Sequence, residues 1–447
     1  MKWINNEISW VIVAGIIGFL ISSVMLSGRQ WGNSSTGYHE VIITNKDAVI
    51  QEIYKNRLNS LQDSLTRIPS DSPNAQKLKG EIRRAISALL VDTARLFVGA
   101  TDTISRFYSG IFLVNYQELR DIIASFQWPQ DSLRSQTLTL LYCDTNSLTT
   151  QSPAIISKNV QVHISKPSSL LSFVTDNVTA GLWLIVSIAQ MVLWCMVLPL
   201  LYGRLRYLNQ KIVNLPGGLF SVLNWILSSI IPIAFLALFC GLFYYILIDT
   251  VVIKDHYLLT GFNGKMKFYA ILGYLISAGC FGMFLHMSMA LDLLNKYAQS
   301  RGVSLAQNTQ VKEFYDAIKK TFEGSFLATS IILSTFVLWI SITFTTINQT
   351  EAMRFYKMVS GKDYLSYDYV YLVGAFHTLI LLLFYIPVRI RFNALDITGQ
   401  AQGSQSSPTS RKVISNIYDA IGTLLVTASP ILTSLVQKLI KNLIESN

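Results

Sequence analysis

The side chains of this chain that could do chemistry are few, and most lie inside apolar sequence. His286 and His377 each interrupt a long hydrophobic run, where an imidazole that titrates near neutrality could take up or release a proton. A single histidine per helix is also a common neutral hydrogen-bonding group between neighbouring helices, so both uses stay open. Ser330, Ser334, Ser341 and Thr345 recur at spacings of four, seven and four, which puts their hydroxyls on one face of a helix. Such a stripe can wet a pore and replace part of an ion's hydration shell, or it can tie helices together. Thr329, Thr335 and Thr343 lie off it.

A third group is basic. Lys77, Lys79, Arg83, Arg84 and Arg95 could form a strip along one helix and bind a nucleotide or nucleic acid. Glu81 and Asp92 dilute it, and a solvated helix face of mixed charge reads the same way. The sequence has no G-x-x-x-x-G-K-[ST] loop, no H-E-x-x-H, no G-x-S-x-G and no C-x-x-C, so neither an enzyme nor a metal or other cofactor is expected. Cys195, Cys240 and Cys280 fall inside apolar runs, which leaves Cys143 without a partner for a disulfide.

The elements that must position these residues follow from composition. Of 447 residues 51% are hydrophobic and only 14% charged, and the apolar ones are gathered into long uncharged runs. Six runs, at residues 9–26, 179–202, 219–248, 268–291, 326–347 and 369–388, are long enough to cross about 30 Å of hydrocarbon. The first reads as an uncleaved signal anchor, because its apolar core is long and no A-x-A-like site follows. The expected fold is an α-helical integral membrane protein with about six transmembrane helices. An α+β soluble domain is inserted between the first and second spans, and an amphipathic helix follows the last.

Residues 1–28 are then an anchor, 29–178 the extramembrane domain, 179–392 a five-helix membrane domain, 393–411 a polar linker and 412–447 the C-terminal helix. Within 29–178, Tyr54, Leu58, Leu61, Leu65 and Ile68 predict one helix, and Leu78, Ile82, Ile86, Leu89 and Phe97 a second after the break at Pro69–Pro73. Strands are predicted over residues 38–44, 137–143 and 159–164. The apolar stripe from Ile414 to Leu439 is expected to lie near the membrane and to pack in an oligomer, although the charge-free stretch 420–437 would also permit insertion. Gly273, Ser277, Gly279 and Gly282 predict close helix contacts in the fourth run.

Lys and Arg in the short loops are richer on the side holding Arg204, Arg206, Lys296, Lys319, Lys320, Arg389 and Arg391. That bias predicts a cell (inner) membrane protein with both termini cytoplasmic. The expected function is an oligomeric ion channel or pore-type effector gated by the 29–178 domain, with a bacterial stress or phage-defence setting. Its partners are then the lipid bilayer, copies of itself, small ions and, through the basic strip, a nucleotide or nucleic acid. The alternative is a non-conducting receptor or scaffold that signals to a cytoplasmic partner. A coupled transporter ranks third, because no Asp, Glu, Lys or Arg lies within the runs.

Overall fold

The computed structural model describes residues 2–26, 38, 41–45, 59, 62–63, 65–67, 69, 72–90, 122, 134–144, 154–165, 170–176, 178–211, 222–250, 262–300, 309–360, 363–401, 428–430 and 432–433. Their order is α1 (Lys2–Leu26), β1 (Val41–Thr44), α2 (Pro73–Leu90), β2 (Ser135–Asp144), β3 (Ala154–Ile164) and α3 (Leu170–Asp176). The membrane part follows as α4 (Val178–Lys211), α5 (Val222–Thr250), α6 (Phe262–Ser300), α7 (Thr309–Asn348), α8 (Glu351–Ser360) and α9 (Asp368–Ala401).

Among the described residues five helices are long and apolar enough to cross a membrane: Ile8–Leu26, Val178–Leu208, Gly264–Lys296, Val311–Asn348 and Asp368–Phe392. The chain is therefore a membrane-embedded helical protein. The expected third span coincides with α5, whose shorter stretch Leu223–Leu238 is also apolar. α6 and α7, at 39 and 40 residues, are each roughly 60 Å long at 1.5 Å per residue, about twice the hydrocarbon thickness. The excess lies at the polar start of α7 and the polar end of α6, where the two helices run on past the apolar zone.

Close approaches between helices fall at glycines. A Cβ at Gly18 of α1 would come within 2.8 Å of the Met191 carbonyl oxygen and 3.0 Å of Val192 Cα on α4, so α1 lies against bare α4 backbone. On α6, Gly273 receives the Trp194 ring of α4, and Gly282 abuts Ser229 of α5. Trp225 of α5 donates its indole N–H to the Gly279 carbonyl at 2.8 Å. The small residues of α6 thus serve two neighbours, as expected where helix association in lipid depends on close packing. At the far end of the bundle the aromatic rings of Phe284, Phe322, Phe326, Tyr385 and Phe392 join α6, α7 and α9. Arg389 pairs with Glu323 at 3.2 Å and Arg391 with Asp292 at 2.8 Å on the same three helices.

At the other end sits a small antiparallel sheet of order β1-β3-β2. Val41 faces Ile164 and Leu138 faces Val160 in its register. The period-two alternation sends Val41, Ile43, Leu138, Val160, Val162 and Ile164 into the interior and leaves Asn159 exposed. Outer-face hydroxyls and amides pair across the strands, Ser135 with Gln161 and Thr139 with Asn159. β2 and β3 run longer than their apolar alternation indicated, because Leu140–Asp144 continue the pairing along Ala154–Lys158.

Among the described residues the sheet has no core separate from the bundle. Its buried face shares one hydrophobic cluster with Leu26 of α1, Phe173 of α3, Trp183 of α4, Phe344 and Ile347 of α7, Phe355 of α8 and Val370 of α9. Tyr38 fastens this junction by stacking on Phe173, with ring centroids 4.3 Å apart, and by donating its hydroxyl to the Leu26 carbonyl at 2.7 Å. That carbonyl belongs to the last turn of α1 and has no partner within the helix. Burial pushes the Tyr38 phenol pKa up, which keeps the donor proton in place.

α2 begins where the proline-bounded turn placed it. Ser72 caps it, its Oγ accepting from the Asn74 and Ala75 N–H groups at 3.1 and 3.3 Å, and Pro73 occupies the first turn where no N–H is needed. Of the preceding predicted helix only isolated residues are described, with Asn59, Gln62, Asp63, Leu65 and Thr66 helical.

Candidate functional site

The polar side chains within the bundle gather on α7, on two nearly opposite faces. Thr335, Trp339, Thr343 and Thr346 point at α4. Trp183 donates to Thr343 at 3.0 Å, Trp339 to Ser187 at 2.9 Å and Trp194 to Thr335 at 3.3 Å. Thr346 donates to the Thr179 carbonyl, and the Thr179 hydroxyl to Gln349. Positions rise along α4 as they fall along α7, so the two helices are antiparallel and tied from end to end. Each such bond between helices in lipid stabilises by about 0.6 kcal/mol, so the seam holds through their number and the indole packing around them.

One group in the seam's stripe is not satisfied. Gln190, on the same face of α4 as Ser187 and Trp194, is 3% exposed, and among the described residues neither its Oε1 nor its Nε2 has a hydrogen-bond partner. Burying an unpaired amide is destabilising by about 1–3 kcal/mol. Gln190→Leu is accordingly expected to raise the melting temperature of the purified protein in detergent, whereas a fall would show that the amide is held by contacts of its own.

The opposite face of α7 carries the hydroxyl stripe. Ser330 and Ser334 each share a hydrogen bond with Ser429, at 2.6 and 2.8 Å. Thr345 shares one with Tyr367 at 2.6 Å and donates to the Ser341 carbonyl at 2.9 Å. Ser330 and Ser341 are each 2% exposed. The four expected pore-lining residues therefore lie along one face, as their spacing required, with Ser330 and Ser341 buried and Ser334 and Thr345 half-buried against the rest of the chain. Ser330 and Ser334 stand roughly 6 and 12 Å along α7 from Phe326, where its apolar run starts. Ser429 thus reaches into the apolar depth of the bundle, and the described part of the C-terminal segment, Ala428–Pro430 with Leu432 and Thr433, is seated against α7.

His377 of α9 bonds through Nε2 to the Tyr274 hydroxyl of α6 at 3.2 Å and lies against the Phe336 and Phe376 rings. It joins three helices at once. His286 is buried in α6. Lys77 and Lys79 are exposed on α2, and Arg83 and Arg84 belong to the same helix. Arg95 lies outside the described residues, as does Cys143's side chain. Among the described residues no group of three or more His, Cys, Asp or Glu side chains is placed to hold a metal.

The contacts that the sequence did not reveal sit where α7 runs into α8, beside the sheet. Glu351, the first residue of α8, accepts the Ile43 N–H of edge strand β1 at 3.1 Å. Asn348, the last of α7, clamps Leu365 by donating to its carbonyl at 2.9 Å and accepting its N–H at 3.0 Å. Lys357 pairs with Asp363 at 3.1 Å beside it. The end of α7 is thereby bound to the turn that leads into α9, and α8, which continues from it, to the sheet. A carboxylate just past an apolar run was the available signal, but such residues usually mark only a lipid boundary.

Comparison with known proteins found no matching family model, no matching curated protein and no matching solved structure. The functional reading therefore comes from this geometry.

Proposed function

We propose that this protein is an oligomeric membrane channel or pore-type effector in which the extramembrane domain acts on α7, and that the hydroxyl stripe of α7 lines the conduction path once it is uncovered. One observation carries the reading: the helix that bears the stripe ends in the hydrophobic cluster it shares with the sheet, and α8, which follows it directly, is hydrogen-bonded to β1. A ligand or partner that shifts the sheet would pull on α7 through Glu351 at the start of α8 and through the shared packing of Phe344 and Ile347, and so on the face that holds Ser334 and Ser341. A stripe of hydroxyls without fixed charge suits a passive pathway more than a coupled one.

The basic end of the bundle, with Lys319, Lys320, Arg389 and Arg391, is assigned to the cytoplasm, and the sheet to the opposite side. That assignment excludes cytoplasmic nucleotides as ligands of the sheet domain.

A second reading is favoured by the hydrogen bonds themselves. Ser330, Ser334 and Thr345 are all paired within the fold, which is also what a non-conducting receptor or scaffold would need from them. Ion flux from proteoliposomes separates the two. The full chain is expected to conduct when triggered, and Ser334→Leu with Ser341→Leu to lower that flux by about tenfold or more, the effect of on the order of 1.4 kcal/mol at the barrier. Conduction indifferent to both changes, or none under any trigger, contradicts the channel reading.

A further inference from the structure

The seating of Ser429 on two members of the stripe deepens the channel reading and rests on it. Three features of the segment around Ser429 belong together. It is part of a charge-free stretch, residues 420–437, which lipid tolerates, and Lys438 and Lys441 follow immediately. Its contact with α7 is made through hydroxyls, Ser429 with Ser330 at 2.6 Å and with Ser334 at 2.8 Å. Hydroxyl pairs are weak ties between helices in lipid, so a contact of this kind can be given up and remade.

Geometry also separates Ser429 from the seam between α4 and α7. α7 is bound to α4 through Trp183, Trp194 and Trp339 on its other face, so losing Ser429 leaves that seam untouched. Leu432, one turn on, is 38% exposed, as befits a segment lying at the edge of the bundle. In sequence the segment is joined to α9 by Gly399–Ser410, rich in Gly, Ser and Gln.

We propose that the C-terminal segment centred on Ser429 is an intramolecular plug. In the resting protein it occupies Ser330 and Ser334 and keeps water from the stripe, and its departure from them is the step that lets the stripe be wetted. The C-terminal segment is then an autoinhibitory element, and the sheet opens the path by moving α7 away from Ser429.

The test uses the full chain in liposomes with its natural cysteines replaced, carrying Ser334→Cys and Ser429→Cys, beside a Ser429→Asp variant that puts a charge where the hydroxyl cluster sits. Mild oxidation is expected to join the two introduced thiols and silence flux, and reduction to restore it. Ser429→Asp is expected to raise unstimulated flux by about tenfold or more. A crosslinked protein that conducts as well as the reduced one overturns the plug and leaves the channel reading standing. Failure of the pair to crosslink in the membrane overturns the seating of Ser429. Absence of flux from every form, Ser429→Asp included, defeats the channel reading and the plug with it, while the crosslinking yield still reports whether Ser429 sits on α7.

Discussion

Replacing Gly282 with leucine is expected to leave little folded protein. A Cβ at this position would meet both Cα and Cβ of Ser229 at 2.9 Å, and its hydroxyl closer still. Backbone cannot step aside as the end of a side chain can. Overpacking in a tight core costs about 1–3 kcal/mol, and a collision with backbone belongs at or above the upper end. α5 also leans on this seam through the Trp225 bond to the Gly279 carbonyl. The measurement is the yield of monodisperse protein after extraction together with its melting temperature. Near-normal values for Gly282→Leu would show that α5 is free to pack elsewhere. Gly264 supplies the control, since nothing lies within 4 Å of a Cβ placed there.

Trp183→Ala is expected to have the next largest effect, with a more specific consequence. Trp183 is fully buried in the cluster shared by sheet and bundle, and its indole bonds to Thr343 of α7. Removing so large a buried ring costs about 3–5 kcal/mol. Trp183→Phe keeps most of the volume, so its cost should fall between the about 0.6 kcal/mol of the lost N–H bond and the cost of the alanine variant. Because the ring lies between sheet and α7, the alanine variant should also loosen the junction. Faster proteolysis within residues 29–178, at an unchanged rate in the far end of the bundle, is the expected pattern. Equal loss throughout would mean that sheet and bundle do not meet through Trp183.

Different physics decided how much of this could be read from the sequence. The spans were legible because lipid imposes a composition, and five of them are present among the described residues while α5 carries the other run. β1 and β3 were legible because burial of one sheet face imposes alternation, as Val160, Val162 and Ile164 display. The serine stripe was legible as a face, since four positions at helical spacing must share one.

What covers that face was not legible. Ser429 is one serine in an apolar segment, and its pairing with Ser330 and Ser334 depends on how two distant parts of the chain are brought side by side. The same holds for the α4–α7 seam. Trp183, Trp194 and Trp339 could be seen in the runs, but which hydroxyl each would find depends on the antiparallel register of two helices. The link from Glu351 to Ile43 spans 308 positions and pairs a side chain with backbone, which no local pattern encodes. Placing the C-terminal segment near the membrane surface followed from its amphipathic stripe. The seating of Ser429 deeper against α7 follows from hydroxyl partners on the bundle, which a stripe of apolar residues does not report.

The central claim is that the hydroxyl face of α7 changes from covered to wet when the protein conducts. Ser341 tests it most directly, because it belongs to the stripe, is 2% exposed in this state and is not one of the two serines on which Ser429 is seated. With Ser341→Cys in a background free of the natural cysteines, a charged water-soluble thiol reagent is expected to react only under conditions that give flux, and to block that flux as it reacts. Full conduction with the introduced thiol unreactive throughout, or conduction unchanged after complete modification, would contradict the account.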